Sequence, residues 1–295
     1  MAGEKQKILF VINPVSGNID KVRFEKNIVE LADEMNYEFL IYKTTSTDDA
    51  SALKSEIEDF KPETVVVAGG DGTLNMVAQL LIGTKIKMGI IPLGSANGMA
   101  AELGIPDNWH RALQIVFKGH AHSIDMVRIN RKYLSIHVSD LGLNARVIKR
   151  YTRQRWHGLF GYARQFFREM FLSQPVKYYI TADGRKYFRR AHMVAIANAK
   201  KYGTGAILNP LGRLDDGRFE ICIFKPYPFY AIFTFLIAFF TGTLHKHRYV
   251  KIISCSHAKI TVKHKQDLQI DGEAIGEVKS IQVDILSKVL QIIVP

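Results

Sequence analysis

Three short segments rich in glycine and small polar residues could together bind a phosphate group. They are residues 13–17 (NPVSG), 69–73 (GGDGT) and 92–98 (PLGSANG), and each follows an apolar run typical of a strand. Glycine lets the backbone approach a polyphosphate closely, and the amides at the start of a following helix supply donors and a positive dipole. A lone glycine-rich turn would indicate only a tight connection. Three of them predict a phosphate cradle.

Asp71 lies in the middle of the second segment. A carboxylate facing an anionic phosphate repels it unless a divalent cation or a proton lies between them. The position of Asp71 therefore predicts Mg²⁺ as a companion of the phosphate ligand.

The elements that must position these segments alternate between strand and helix patterns in the first half of the chain. Short β-branched runs alternate with amphipathic stretches at a rhythm that predicts a mostly parallel sheet covered by helices. The carboxyl ends of such strands share one sheet edge, where ligands bind. We predict strands at 7–12, 38–43, 64–68 and 88–91, and helices at 21–35, 48–60, 74–81 and about 96–103.

After Asp125 strand follows strand, with turn signals such as Asn130-Arg131 and Asp216-Gly217 between them. This pattern favours an antiparallel sandwich or barrel. We therefore predict an α/β protein: residues 1–125 form a doubly wound, mostly parallel nucleotide-binding domain, and residues 126–295 form an antiparallel β-sandwich domain for the substrate. Predicted strands are 126–129, 133–139, 176–182, 192–197, 219–224, 250–254, 258–262, 268–270 and 280–285, with helical inserts at about 158–172 and 229–242.

The net charge of +12 is unevenly distributed along the chain. Residues 1–125 hold 12 Lys and Arg against 17 Asp and Glu, a net charge of −5, which leaves +17 for residues 126–295. The second half is expected to meet an anionic partner: nucleic acid, an acidic membrane or a phosphorylated substrate. No nucleic-acid fold signature is present, so no nucleic-acid partner is expected.

No targeting signal or membrane span is predicted. The first residues lack the apolar segment of a secretory signal, and the longest apolar run, 229–241, is shorter than the roughly 20 residues that a spanning helix needs. We expect a cytoplasmic protein that is peripheral to the inner face of the membrane. The basic and aromatic insert at 153–172 is typical either of an interfacial helix or of a packed helix with solvated arginines. A homodimer is left open.

Several motifs together resemble the diacylglycerol kinase catalytic-domain family, which includes bacterial lipid kinases and sphingosine kinases. They fall in the family's order over nearly the whole chain: Asn13-Pro14 with Ser16-Gly17, residues 69–75 (GGDGTLN), Ser95 with Asn97, residues 214–217 (LDDG) and residues 270–273 (IDGE). The GGDGT segment is also similar to segments of phosphofructokinases and NAD kinases, so the last two motifs carry the specificity of the match.

The resemblance implies an ATP-dependent lipid kinase with Mg²⁺, most similar to enzymes that convert diacylglycerol to phosphatidic acid. It implies that ATP is bound by Asn13, Thr44, Gly69, Gly70, Asp71, Gly72, Thr73, Leu74, Asn75 and Ser95. It further implies that Glu273 is the general base, with Asp71 as a second catalytic residue, and that a structural Mg²⁺ binds the Asp216 carboxylate near the carbonyls of Arg213 and Arg218. From the residues alone, Asp271-Gly272 and Asp216-Gly217 are also typical of ordinary turns.

Two departures bear on metal and substrate. Many bacterial members of the family carry Asp after the asparagine of the third loop, where this chain has Gly98. Arg146 and Lys149 stand where sphingosine kinases carry acidic residues, and positive charge there disfavours a sphingoid amine. The alternatives are an NAD-kinase-like or sphingoid-base kinase, or a non-enzymatic module that binds anionic membranes or nucleic acid.

Overall fold

The computed structural model describes residues 5–17, 19–45, 47–151, 169, 173–201, 207–228 and 230–295. It divides into two compact units, Met1–Ile124 with Lys288–Pro295, and Asp125–Ser287. These units differ from the predicted domains in that Asp125 lies with the second unit and the last eight residues lie with the first.

The first unit is built on a parallel sheet in the order β4-β3-β1-β2. Its strands are buried runs of β-branched and aliphatic residues, as expected for a sheet covered by other elements. The elements are β1 (Lys7–Ile12), α1 (Lys21–Glu34), β2 (Glu38–Lys43), α2 (Asp49–Phe60), β3 (Thr64–Gly69), α3 (Asp71–Leu81), β4 (Lys87–Pro92), α4 (Gly98–Glu102) and α5 (Trp109–Lys118).

Two helices of this unit differ from the sequence expectation. Helix α3 begins at Asp71, three residues before the predicted Leu74, because Gly70 adopts the extended N-cap conformation and the helix starts inside the glycine segment. Helix α5 was not predicted, although Asn108 caps it by accepting a hydrogen bond from the amide of Arg111.

The second unit is antiparallel, with the strand order β12-β11-β10-β7-β13-β14. Strand β8 pairs with β13 and β9, and β5 pairs with β6 and β14. The elements are β5 (His120–Ile129), β6 (Tyr133–Ser135), β7 (Val138–Gly142), α6 (Leu143–Tyr151), β8 (Val176–Ala182), β9 (Arg185–Ala191), β10 (Met193–Ala197), β11 (Phe219–Phe224), α7 (Ala231–Thr241), β12 (Val250–Cys255), β13 (His257–Ile270) and β14 (Glu273–Val294).

Two apolar clusters form the interior of the second unit. One lies among the strands and includes the buried ring of Tyr178. The other joins α6 and α7 to β10 and β11 through residues such as Val147 and Phe235. The predicted strand 133–139 is split into β6 and β7, and 258–262 with 268–270 form one strand, β13, whose pairing with β14 shifts register at two places. The predicted insert at 158–172 lies outside the described residues except Glu169.

No described helix has the length and apolar character that crossing a membrane requires.

Candidate functional site

The three glycine-bearing loops meet at the carboxyl ends of β1, β3 and β4. The Asn13 amide nitrogen Nδ2 donates to Thr73 Oγ1 at 3.2 Å, which joins the first loop to the second. The Leu93 amide donates to the Gly69 carbonyl at 2.9 Å, which joins the second to the third. The predicted cluster at one sheet edge is therefore present in the structure.

Glycine is required where the second and third loops touch. A Cβ on Gly94 would lie 2.5 Å from the Cα of Gly70 and 2.9 Å from Asn97 Oδ1. That Asn97 oxygen accepts a hydrogen bond from the Gly94 amide at 2.8 Å, which fixes the turn. By contrast, a Cβ on Gly72 would meet nothing within 4 Å, so the first turn of α3 borders open space.

The Asp71 carboxylate binds the start of α4. Its Oδ2 accepts from the Gly98 amide at 3.0 Å and its Oδ1 from the Met99 amide at 3.3 Å. The sequence predicted roles for this carboxylate in ATP binding, Mg²⁺ binding and catalysis, but no structural role. The contact with α4 was missed because it joins residues 27 and 28 positions apart.

The other predicted ATP-binding residues of the first unit differ in burial and in hydrogen bonding. Thr44 is buried at the end of β2, and its amide donates to the Ile12 carbonyl. Leu74 is buried and its amide donates to the Gly70 carbonyl, so its polar groups serve helix α3. The Oδ1 of buried Asn75 has no hydrogen-bond partner among the described residues. Ser95 is exposed in the third loop.

The side chains around Asp71 include oxygen donors of the kind that Mg²⁺ prefers. Within the part of the chain that the structure describes, no three His, Cys, Asp or Glu side chains are grouped to hold a metal ion. Mg²⁺ commonly takes one or two carboxylates together with substrate phosphates and water. One carboxylate, Asp71, with the unpartnered Asn75 oxygen on the same helix, fits a Mg²⁺ that arrives with a polyphosphate.

Glu273 lies in the second unit, immediately after the two-residue turn Asp271-Gly272 that joins β13 to β14. Both turn residues have positive φ, 46° and 90°, as a type I′ hairpin turn requires. The side chain of Glu273 is exposed and makes no hydrogen bond or ion pair with any described residue. Its carboxylate is therefore available to a ligand.

The neighbouring Asp271 holds this turn in place. Its carboxylate accepts hydrogen bonds from the Ser135 hydroxyl at 2.7 Å and from three consecutive amides at 2.8–3.1 Å, those of Ile136, His137 and Val138. Burial raises the pKa of Asp271 above its ordinary value, and the hydrogen bonds from Ser135, Ile136 and His137 offset only part of that rise. These hydrogen bonds connect the turn to the β6–β7 loop, and they thereby fix the position at which β14 begins.

A second polar group that sequence reasoning missed supports the same turn. The buried Asp140 carboxylate accepts from Asn144 Nδ2 and Gln269 Nε2, both at 2.6 Å, and from the Ala145 amide at 2.9 Å. Gln269 also accepts from the Gly272 amide at 2.8 Å. An acid just before the amphipathic stretch of α6 was the available signal, because Asp is typical of helix starts.

The predicted metal residues of the second unit form a tight turn. Asp216 Oδ1 accepts from the Arg218 amide at 3.0 Å, and Gly217, with φ of 71°, donates its amide to Asp125 Oδ2 at 2.6 Å. The Arg213 side chain donates to Asp215 at 3.2 Å. The bonds of Asp216 with Arg218 and of Arg213 with Asp215 are local, as in an ordinary turn, whereas the bond to Asp125 joins the turn to a distant segment. The structural Mg²⁺ at Asp216 stays a prediction.

Arg146 is ion-paired in the structure. Its Nε donates to Glu169 Oε2 at 3.2 Å, and its Nη1 donates to Gln266 Oε1 at 3.2 Å. The Glu169 carboxylate offsets its charge. Arg146 therefore repels an amine substrate less than its charge alone would suggest.

Both halves of the chain match known protein families. Residues 7–129 match the diacylglycerol kinase catalytic domain, and residues 137–294 match the YegS C-terminal NAD kinase beta sandwich-like domain. A probable lipid kinase of the YegS-like type from Klebsiella pneumoniae is 27% identical over 293 residues, covering 97% of this chain and 95% of that protein. One from Yersinia enterocolitica is 27% identical over 259 residues, covering 85% and 86%.

Solved structures agree in fold. A crystal structure from Bacillus anthracis strain Sterne matches with a TM-score of 0.81 at 21% identity, covering 98% of this chain and 97% of that one. A diacylglycerol kinase from the same strain matches with a TM-score of 0.75 at 19% identity over the same shares. The predicted fold class, a mostly parallel first sheet followed by a β-sandwich domain, is confirmed.

Proposed function

This chain belongs to the diacylglycerol kinase catalytic-domain family of lipid kinases, and from that membership we propose that it transfers the γ-phosphoryl group of ATP to the hydroxyl of diacylglycerol. The product is phosphatidic acid. Support for the acceptor comes from the match of residues 7–129 to the diacylglycerol kinase catalytic domain.

The observation that carries the proposal is the junction of the three loops. Gly70 and Gly94 bring two backbones into contact, and Gly72 leaves the first turn of α3 open. A helix N-terminus with open space before it attracts anions through its amides and its dipole. In this proposal the ATP phosphates lie against α3, and Asn13, Thr73 and Ser95 line the nucleotide.

Mg²⁺ accompanies ATP in the proposed reaction, with Asp71 and Asn75 as its protein ligands. When bound, it would neutralise the charge that develops on the transferred phosphoryl group. The fit rests on the chemistry of these two side chains. The absence of a second carboxylate at Gly98 agrees with an ion held jointly by protein and nucleotide.

Glu273 is the proposed general base. The lipid hydroxyl oxygen forms a bond to the γ-phosphorus, the bond from that phosphorus to the β–γ bridging oxygen breaks, and ADP leaves. The hydroxyl proton passes to the Glu273 carboxylate. Asp271, with four donors on its carboxylate, positions the turn that carries this base.

The test is ATP-dependent phosphorylation by the purified chain of three acceptors: dioctanoylglycerol in detergent micelles, sphingosine in the same micelles, and NAD. We expect transfer to dioctanoylglycerol above the other two, and its loss without Mg²⁺. Transfer to NAD alone would support an NAD-kinase-like reaction and contradict the proposal, and preference for sphingosine would contradict the acceptor.

A further inference from the structure

Helix α7 is apolar on both of its faces. It contains no charged residue, and its inward face, which includes Ile232, Phe235 and Ala238, is buried in the cluster formed with β10 and β11. The Phe235 ring lies 4.9 Å from that of Tyr227, in an edge-on contact. These inward residues pack the helix against the second unit.

The outward face presents four large apolar side chains to water. Phe233, Leu236, Ile237 and Phe240 are 63%, 37%, 63% and 72% exposed. Their spacing of three, four and seven residues places them in one stripe. A contiguous exposed stripe of this kind marks an interaction site, because single scattered residues would carry no such spacing. We call these four residues the outward stripe.

Positive charge borders the outward stripe. Lys246 and His247 line an open groove of about 240 Å³ together with Ile237 and Thr234 of α7. Arg248 follows, exposed. Over residues 221–251, which contain α7 and the segment beside it, the sequence has no Asp or Glu and four Lys or Arg: Lys225, Lys246, Arg248 and Lys251.

An apolar stripe next to cations complements a bilayer that contains anionic lipids. The four side chains of the stripe carry no polar atom, whereas protein interfaces usually form a hydrogen bond for each 100–200 Å² or so. Eleven residues of helix are about 16 Å long, too short to cross a bilayer but suited to lying along its surface. The charges would then face lipid phosphates.

We propose that the outward stripe of α7 inserts into the interface of an anionic bilayer, with Lys246 and Arg248 against the lipid headgroups. This deepens the proposed function, because it names the surface by which the enzyme reaches a membrane-embedded acceptor. The helix lies in the membrane plane, and its inward face stays on the second unit.

The first experiment measures sedimentation of the full chain with phosphatidylcholine vesicles, with and without phosphatidylglycerol. We expect the double variant Phe233→Gln/Phe240→Gln to bind mixed vesicles at least about tenfold more weakly. The control, Val22→Gln/Phe188→Gln, removes two apolar side chains that are 80% and 47% exposed elsewhere, and should bind as the wild type does. Equal binding by both double variants would overturn the proposal.

The second experiment does not depend on loss of binding. Ile237→Trp should show a blue shift and quenching by brominated acyl chains when mixed vesicles are added, relative to the wild type. Phe188→Trp should show neither. Absence of both signals at Ile237→Trp would overturn the proposal, and Lys246→Ala/Arg248→Ala should lower the dependence on phosphatidylglycerol.

Two further measurements distinguish membrane insertion from dimer formation and from a role in catalysis. If Phe233→Gln/Phe240→Gln dissociates a dimer in sedimentation velocity and leaves vesicle binding unchanged, the stripe joins two copies of the chain, and the membrane proposal is wrong. Phosphorylation of micellar dioctanoylglycerol should persist in this variant. Vesicle binding through α7 without any lipid phosphorylation would overturn the proposed function and leave this inference standing.

Discussion

The amide of Gly98 donates a hydrogen bond to the Asp71 carboxylate, with 3.0 Å between nitrogen and Oδ2. This contact fastens the start of α4 to the start of α3. A carboxylate oxygen can accept more than one hydrogen bond or metal contact. Asp71 can therefore hold the third loop and still act as a ligand of Mg²⁺.

Asp71→Asn tests both roles. The amide keeps one acceptor and turns an NH₂ group toward the donors Gly98 and Met99, so we expect a loss of about 1–3 kcal/mol of unfolding free energy. Phosphoryl transfer should fall by about 10²–10³ as stabilisation of the transferred charge is lost. Urea unfolding measures the change in stability, and lipid phosphorylation measures the change in phosphoryl transfer. Asp20→Asn, which removes an acid but keeps a cap on α1, should change neither. Near-normal turnover in Asp71→Asn would contradict the assignment.

Gly94→Ala and Gly72→Ala separate loop packing from nucleotide binding. A methyl on Gly94 collides with the Gly70 backbone, and should cost about 1–3 kcal/mol of stability together with ATP affinity. A methyl on Gly72 meets open space in the first turn of α3, so stability should hold or rise by up to about 1 kcal/mol. ATP affinity, measured by calorimetry, should still fall for Gly72→Ala, because the methyl enters the space proposed for the phosphates. Unchanged ATP affinity would contradict the proposed position of the phosphates at the first turn of α3.

Glu273→Gln keeps the shape of the side chain and removes its basicity. If Glu273 takes the hydroxyl proton, kcat should fall by about 10²–10⁴ while ATP affinity stays the same. A loose transition state would place the loss near the lower end of that range. Turnover on dioctanoylglycerol and ATP calorimetry are the measurements. Joint loss of ATP affinity and turnover would assign Glu273 to the nucleotide site instead.

Asp271→Asn should act on stability, in contrast to its neighbour. The Asn side chain offers one acceptor to four donors and places its NH₂ group against backbone amides, which should cost about 2–3 kcal/mol. Glu273→Gln, two residues away and exposed, is the matched control and should unfold at the wild-type urea concentration. If Asp271→Asn were as stable as the control, the four hydrogen bonds would not support the turn.

His192 should make stability depend on pH. Burial, and then the charge of Arg146, lower the pKa of His192 below its ordinary value, and its ring nitrogen Nδ1 lies 2.8 Å from the Ser173 hydroxyl. The unfolded chain therefore binds a proton more readily than the folded one. The contribution of neutral His192 to the free energy of unfolding is fully present above the unfolded-state pKa of about 6.5. It is lost as the pH falls through the lower pKa of the folded state.

The measurement is the free energy of unfolding in urea at several pH values from about 5 to 7.5. His192→Gln should be less stable at the upper end and should show a smaller rise of stability with pH than the wild type. An identical slope in the two proteins would contradict the neutral, buried state of His192.

The sequence predicted the frame of the first unit well because its signals are local. Buried strands appear as apolar runs, and parallel strands connected by helices leave their carboxyl ends at one edge. The strands Lys7–Ile12 and Glu38–Lys43 were predicted to the residue, and the meeting of the three loops followed from topology. Helix α5 was not predicted, although Asn108 before it is a typical N-cap residue and could have indicated its start.

The local sequence pattern did not predict strand β9, Arg185–Ala191. It is rich in Lys and Arg and is mostly exposed or half-buried, so it has no clear apolar run, and it forms by pairing along its whole length with β8. The predicted strand 133–139 likewise carried no sign of its division, which follows from the use of the 136–138 amides by Asp271.

By itself the sequence supplied the candidates for the proposed site: the glycines that admit a phosphate and Asp71 from their spacing, and Glu273 from the resemblance of its motif to the family. Only the tertiary structure decided which partners these residues have. Asp71 meets Gly98, Asp271 meets the loop at Ser135, and Arg146 meets Glu169 across 23 to 136 positions of chain. Sequence periodicity reports burial and direction along one element, whereas a hydrogen bond between distant segments depends on how the strands are ordered in the sheet.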